Sequence, residues 1–342
     1  MGKEILWLEG TSLAQDKVVW LEGLNLDYFP VGTLAAYGLL RLLEEDGGKV
    51  ALAFRSAADR PVPGLVGIGE EELVEALEKR LLYKFPLPEE LFPYDKVKEI
   101  PGWLGEKLAK DPKTAPVMRA LYHRTESGKI LRNPLDTTKG QQGFLKAIRE
   151  NFFLNPHLDG LREQIRRVLF EDPLLAPGEV LTGGKATRSG RKHGEVTFPL
   201  LGWHSSQWRQ AAEMGRSPEN IPFSEKSRIH PIATTLAAHA LPLYRFLGEG
   251  RDLRVRGFLD PLGKTPKLLL VLPTFPASWA TIRFFLHQAT FLETCPRLWP
   301  EEVRVWQCKR LGSYEQKEPY PVFMGAEPLQ LPPCQDGEEV VS

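Results

Sequence analysis

Four cations fall within eight residues in a stretch with nothing to bury: Lys185, Arg188, Arg191 and Lys192, in Leu181-Thr-Gly-Gly-Lys-Ala-Thr-Arg-Ser-Gly-Arg-Lys-His-Gly194. After Leu181 no apolar side chain there exceeds Ala186. Charges this close repel one another, and a Gly- and Ser-rich chain follows whatever surface orders it. The chemistry on offer is electrostatic contact with a phosphate backbone. A solvated linker has the same composition. A second group lies upstream in Lys139-Gly-Gln-Gln-Gly-Phe-Leu145. Gly140 and Gly143 leave backbone amides uncovered, Thr137 and Thr138 can cap the helix predicted over Phe144 to Phe153, and Gln141 and Gln142 bring donors and acceptors to its mouth. With Lys139 and Lys146 this set suits a phosphate or a ribose, although an ordinary capped helix start uses the same residues. A third group rides on a helix predicted over Leu158 to Phe170. Leu161, Ile165, Val168 and Leu169 share one face of it, with Arg162, Arg166 and Arg167 near the other.

Other chemistries fail on a decisive residue. Gly183-Gly184-Lys185 is followed by Ala186 where a phosphate loop needs Ser or Thr for magnesium. Gly257 to Gly263 before Lys264-Thr265 is one residue too long, and Pro266 opposes the helix that should start there. The histidines, at 123, 157, 193, 204, 230, 239 and 287, form no His-x-x-x-His pair. His204 beside Ser205 and Ser206 lacks the nucleophile elbow, and no Gly-x-Gly-x-x-Gly follows the first strand. Cys295, Cys308 and Cys334 contain no Cys-x-x-Cys and are odd in number, which fits neither a disulfide framework nor a zinc knuckle. The expectation is therefore no catalytic residue, no metal and no cofactor. The opening residues lack a basic-then-apolar signal, and the longest apolar run, Leu268 to Leu272, is strand-sized. These features predict a cytoplasmic protein away from membranes.

Net charge is zero over 342 residues, but the charge is unevenly spread. Residues 1–112 hold 13 Lys and Arg against 20 Asp and Glu, residues 113–192 hold 15 against 8, and residues 193–342 hold 16 against 16. A middle segment at +7 beside one at −7 is the footprint expected of a phosphate-binding surface.

The elements that must position these groups are organised around Val18 to Phe54, which scans as strand, loop, helix, turn, strand. From Gly32 to Leu43 the only charge is Arg41, so this helix is apolar on nearly every face and belongs in a core. Ala35, Ala36 and Gly38 keep one side narrow enough for another backbone to approach. Thr33-Leu-Ala-Ala36 recurs as Thr235-Leu-Ala-Ala238, again ahead of a Gly-containing turn and a strand-like run, Leu253-Arg-Val-Arg-Gly-Phe258. The echo predicts two similar helix-strand units, each Ala-Ala helix lying on a sheet. Further helices are predicted over Glu70 to Lys84, Ala115 to Arg124 and Ser278 to Leu292. Strands are predicted over Arg254 to Phe258, Leu268 to Leu272, Val303 to Lys309 and Tyr320 to Met324, and in Glu195-Val-Thr-Phe198. The resulting class is α+β: two ferredoxin- or RRM-like units with a mainly helical basic insertion between them. The divisions are an N-terminal α+β domain over 1–112, a basic helical segment and loop over 113–193, a C-terminal α+β domain over 194–334 and an acidic tail over 335–342.

Four landmarks in order, Leu21-Glu-Gly23, Leu34-Ala-Ala-Tyr-Gly-Leu-Leu-Arg-Leu-Leu43, Lys139-Gly-Gln-Gln-Gly-Phe-Leu145 and Arg228-x-x-Pro231 before an Ala-Ala helix, carry a resemblance. The sequence resembles CRISPR-associated effector subunits, in particular the large-subunit-like proteins of type I-G systems, formerly called I-U. It departs from them at Ser227-Arg-Ile-His230, where some relatives carry Asp-rich and Arg-rich residues. The resemblance implies a non-catalytic subunit of a crRNA-guided DNA surveillance complex that contacts crRNA, target DNA including its adjacent motif, and other subunits. Base pairing reads sequence in such complexes, and protein supplies basic grooves. The residues expected to contact nucleic acid are Lys185, Arg188, Arg191, Lys192, Lys139, Gln141, Gln142, Lys146, Arg162 and Arg166. Two alternatives stay open: a soluble enzyme or small-anion binder using the Gly140–Gly143 helix start, and a scaffold with no ligand of its own.

Overall fold

The structure is a computed structural model. It describes residues 18–24, 30–45, 47–57, 60–138, 143–155, 160–171, 201, 203, 231–292, 299–311, 322–323 and 326–329. The loop with Lys185, Arg188, Arg191 and Lys192, the residues Lys139, Gln141 and Gln142, the strand expected at 195–198 and the acidic tail lie outside them.

Strand β1 (Val18–Trp20) leads through a 3-10 turn towards helix α1 (Pro30–Glu44), followed by β2 (Ala51–Ala57) and β3 (Arg60–Val66). These strands form one antiparallel sheet with β3 central, its Leu65 opposite Val19 on one side and Leu52 on the other. Next come α2 (Glu70–Tyr83), α3 (Gly102–Lys110), α4 (Ala115–Leu121), a hairpin of β4 (Tyr122–Arg124) and β5 (Ile130–Arg132), α5 (Phe144–Leu154), and α6 (Leu161–Arg166), which runs on into a π turn, Arg167–Glu171. Then follow α7 (Pro231–His239), a 3-10 turn Leu241–Tyr244, and a two-residue hairpin of β6 (Phe246–Leu247) and β7 (Arg254–Val255). The last elements are β8 (Phe258–Leu259), β9 (Lys267–Pro273), α8 (Trp279–Ala289), β10 (Val303–Leu311), β11 (Val322–Phe323) and β12 (Glu327–Pro328). The second sheet runs β11-β10-β9-β8, with β12 also on β10. The layout is thus mixed helix and sheet, with small antiparallel sheets.

Helix α1 is buried all round: of its 15 residues only Arg41 and Glu44 are partly exposed. The two Ala-Ala segments do not head two separate helix-strand units. They are the two sides of one helix pair, α1 against α7. A Cβ added at Gly38 would lie 1.7 Å from the Leu236 carbonyl oxygen, so the helices meet backbone to backbone. The small residues recur because each helix presents its narrow side to the other. The likeness then stops: α1 leads to the seven-residue β2, whereas α7 leads to a tight turn and the two-residue β6. Two other expected runs end early. The strand expected over Arg254 to Phe258 is broken between β7 and β8 at Gly257, whose φ of +71° suits glycine. The helix expected to reach Arg124 ends at Leu121, where the β4–β5 hairpin begins.

Three side chains of α1 fix what surrounds the pair. The Tyr37 hydroxyl donates to the Val271 carbonyl at 2.6 Å and accepts from the Val271 amide at 3.0 Å. Strand β8 pairs with β9 only at Lys267 and Leu268, and the Leu269 amide goes to the Gly257 carbonyl, so the phenol takes over the ladder where the neighbouring chain leaves it. Arg41 donates to the His239 carbonyl at 3.0 Å at the end of α7 and lies over the Trp279 ring at 5.9 Å. The Glu44 carboxylate accepts from the Trp279 amide at 2.8 Å, which places an anion at the positive start of α8. Burial raises the Glu44 pKa, and this amide opposes the rise. The first sheet is joined to the loop between β9 and α8 by one isolated antiparallel bridge, where Leu52 and Ala277 exchange backbone bonds of 2.9 Å. The core that results is continuous from Leu21 to Phe323.

Gly38→Ala is expected to force α1 and α7 apart and to lower the unfolding free energy in urea by about 3 kcal/mol or more. Gly69→Ala, with no atom within 4 Å of the new methyl, changes it little. Tyr37→Phe keeps the ring but strands the Val271 amide and carbonyl, and costs about 1–3 kcal/mol in the same measurement.

Candidate nucleic-acid interface

The expected basic surface on α6 is spoken for. Arg162 pairs with Glu71 at 2.9 Å and with Glu78 at 3.5 Å, while Arg166 pairs with Glu70 at 2.7 Å and also with Glu71. Hydrogen bonds from Arg166 and Arg162 hold the Glu71 carboxyl below its ordinary range. The arginines of α6 are therefore matched in space by the acidic side chains of α2, and their charge is cancelled within the chain. Lys146 sits 3.6 Å from Glu150 and 3.9 Å from Asp95. At the start of α5 the Lys146 amide donates to the Asp95 carbonyl at 3.2 Å, and a Cβ on Gly143 would fall 2.1 Å from that same oxygen. Asp95 also takes Arg149 at 2.6 Å. The described part of this helix start is thus covered by an aspartate, which argues against a small-anion site built on it. Thr138 turns back onto Asp136 instead of capping α5, whose N-cap is Gly143 and which has no side-chain cap.

Cations without carboxylate partners among the described residues converge elsewhere. In the β6–β7 hairpin Phe246 lies opposite Val255, so Arg245 and Arg256 follow as the next facing pair, with the Arg256 amide donating to the Arg245 carbonyl at 2.9 Å. Like charges directly opposite on a hairpin repel. Gly257 pins this pair in place. Its amide donates to the Thr290 hydroxyl at 2.8 Å, and a Cβ there would strike the Tyr244 ring at 2.6 Å. The hairpin is thereby held against α8, which contributes Arg283 and His287 one turn apart. Helix α4 packs on the turn before Arg245 and adds Arg119.

Arg256 is only 3% exposed, and its Nε and Nη1 are buried without a hydrogen-bond partner, as is Nε of Arg245. Burial first, then Arg245 and Arg283, lowers the Arg256 pKa to about 10, so it stays charged at neutral pH. Arg245 is lowered by burial and then by Arg119 and Arg283. Burial, then Arg256 and Arg245, likewise depresses His287. Among the described residues none of the four arginines forms an ion pair. Arg119, Arg283 and His287 are exposed and Arg245 half-buried, so the group opens to solvent. An arrangement of this kind attracts an anion and holds it by charge-assisted hydrogen bonds.

None of these five residues stood out in sequence: four lie in residues 193–342, which are neutral as a block, and Arg119 is a single charge on a short helix. The signal present was the spacing Arg283-x-x-x-His287 on one helical face and the alternation Arg254-Val-Arg256. Among the described residues no three His, Cys, Asp or Glu side chains gather as a metal would require, and no helix is long and apolar enough to cross a membrane. No protein-family model matches the chain, and no curated protein and no solved structure matches it either.

An NMR titration of His287 should show a midpoint below the ordinary 6.5, because burial first and then Arg256 and Arg245 oppose a further positive charge. In Arg245→Ala the midpoint should rise without reaching 6.5, since burial remains. An unchanged midpoint would remove His287 from the group.

Proposed function

We propose that this protein binds nucleic acid without catalysing a reaction, using the arginines around the β6–β7 hairpin and α8 to hold phosphates. The observation that carries this reading is the convergence of Arg245, Arg256, Arg283 and Arg119 with no carboxylate paired to them among the described residues. Two unit charges about 6 Å apart at an effective dielectric near 20 repel by about 3 kcal/mol, so such a group is costly until an anion joins it. Arginine suits phosphate because its planar fork donates two parallel hydrogen bonds. The resemblance to large-subunit-like CRISPR proteins supports a specific setting: a subunit of a crRNA-guided DNA surveillance complex in the cytoplasm, with crRNA, target DNA and other subunits as partners. In that setting Lys185, Arg188, Arg191 and Lys192 act as a second point of attachment. Arg162 and Arg166, paired to α2, serve the fold.

Fluorescence anisotropy with labelled single-stranded RNA and duplex DNA between about 50 mM and 200 mM salt tests the reading. Binding should weaken steeply with salt. Arg245→Ala together with Arg283→Ala should lower affinity and reduce the salt slope by about 1 for each phosphate no longer neutralised, while Arg162→Ala changes neither. Absent or salt-independent binding, alone and with copurifying partners, would refute it.

A further inference from the structure

Beside the unpaired arginines, α8 presents aromatic rings to solvent. Phe284 is 56% exposed and Phe291, just past the helix end, 36%. At 100° per residue, Arg283, His287, Phe291 and Phe284 fall in that order across an arc of about 100°, so an arginine, an imidazole and the two phenyl rings share one outward face. The rings are braced. Phe284 stands edge-on to Phe285 at 5.4 Å, and Phe285 in turn meets Trp299 at 5.8 Å and Phe275 at 6.2 Å. Phe291 stands against the His287 ring at 5.3 Å. Seven residues separate the two outer rings, about 10 Å along the axis, enough for each to take its own base.

Resting on the phosphate-binding role of the arginines, we infer that this surface is a platform for a single nucleic-acid strand: Arg245 and Arg283 take phosphates, with the buried Arg256 adding its charge from behind, while Phe284 and Phe291 stack on unpaired bases. The charge of the face commits it to an anionic occupant. Among nucleic acids only an unpaired strand has base faces to offer, since a duplex keeps them stacked inside and would leave both rings against sugar and phosphate. Stacking on phenyl rings takes any base, so the platform reads no sequence.

The test compares four labelled probes of equal length: single-stranded DNA, single-stranded RNA, duplex DNA, and an abasic strand that keeps the sugar-phosphate charge but lacks bases. The full chain should bind both single strands at least about ten-fold more tightly than the abasic strand or the duplex. Phe284→Leu and Phe291→Leu keep apolar bulk and remove the π face. Each should weaken single-strand binding several-fold and leave the abasic and duplex probes unchanged, with thermal unfolding little changed in Phe284→Leu, whose ring is the more exposed of the two. Arg245→Ala should weaken every probe alike. Equal binding of single-stranded and abasic probes, or indifference to both leucine variants, would overturn the platform and leave the phosphate role standing. A polyglutamate peptide that displaces the strand as efficiently as unlabelled strand would overturn the platform in favour of an acidic protein partner. No binding of any probe would sink both readings.

Discussion

The missing side chain of Gly38 sets the spacing of this molecule. With the Leu236 carbonyl 1.7 Å from where a Cβ would stand, α1 and α7 touch backbone to backbone, and everything packed on α1 takes its position from that approach. Tyr37, one residue earlier, carries its hydroxyl to Val271 in the middle of β9, so the helix pair and the second sheet share a hydrogen-bonded seam. One and two turns later, Arg41 and Glu44 reach the last carbonyl of α7 and the first amide of α8. Helix α8 is thus oriented by α1, and its outward face, with Arg283 and His287, is turned towards the hairpin that holds Arg245 and Arg256. Close packing of two helices is the physical cause, several steps removed, of the cation group at the surface.

Burial divides the polar groups of this seam into tolerated and costly ones. His239 sits at the end of α7, fully enclosed, and burial first, then Arg41, lowers its pKa to about 3. It is neutral in the fold at any pH near neutrality. The sign is that of a depressed histidine: the unfolded chain takes up a proton below about 6.5 and the folded chain does not, so stability is retained above that pH and lost below it. Cys308, buried on strand β10 opposite Leu268, is pushed well above its ordinary thiol pKa by burial, which keeps it unreactive.

Charge follows space more than chain order. A basic segment at +7 next to an acidic one at −7 reads as a binding stripe when charges are summed along the sequence. Folding sets Arg162 and Arg166 on Glu70, Glu71 and Glu78, so that part of the stripe closes on itself. The reverse holds in the C-terminal part, neutral when summed, where a two-residue hairpin and one helix collect arginines whose acidic neighbours in sequence end up elsewhere. Among the described residues these arginines crowd one another without an ion pair, whereas those of α6 find theirs on α2.

Local pattern alone is enough to establish the identity and burial of the main elements. An apolar run with one arginine could only be an interior helix, and Leu268 to Leu272 only a buried strand. Glu70 to Tyr83, Phe144 to Leu154 and Trp279 to Ala289 likewise show their helical spacing, because periodicity is local and each side chain reports its own face. The class, helices with antiparallel strands, follows from these. Which narrow faces meet is a property of the folded chain. Small residues announce a close approach but not its partner, so Thr33-Leu-Ala-Ala36 and Thr235-Leu-Ala-Ala238 read as a repeat when they are complementary halves of one helix pair. Which arginines carry an ion pair is likewise settled by folding. Pairing depends on distances between residues some 90 positions apart, as for Arg166 and Glu71, and a charge carries no mark in sequence of the partner it will find.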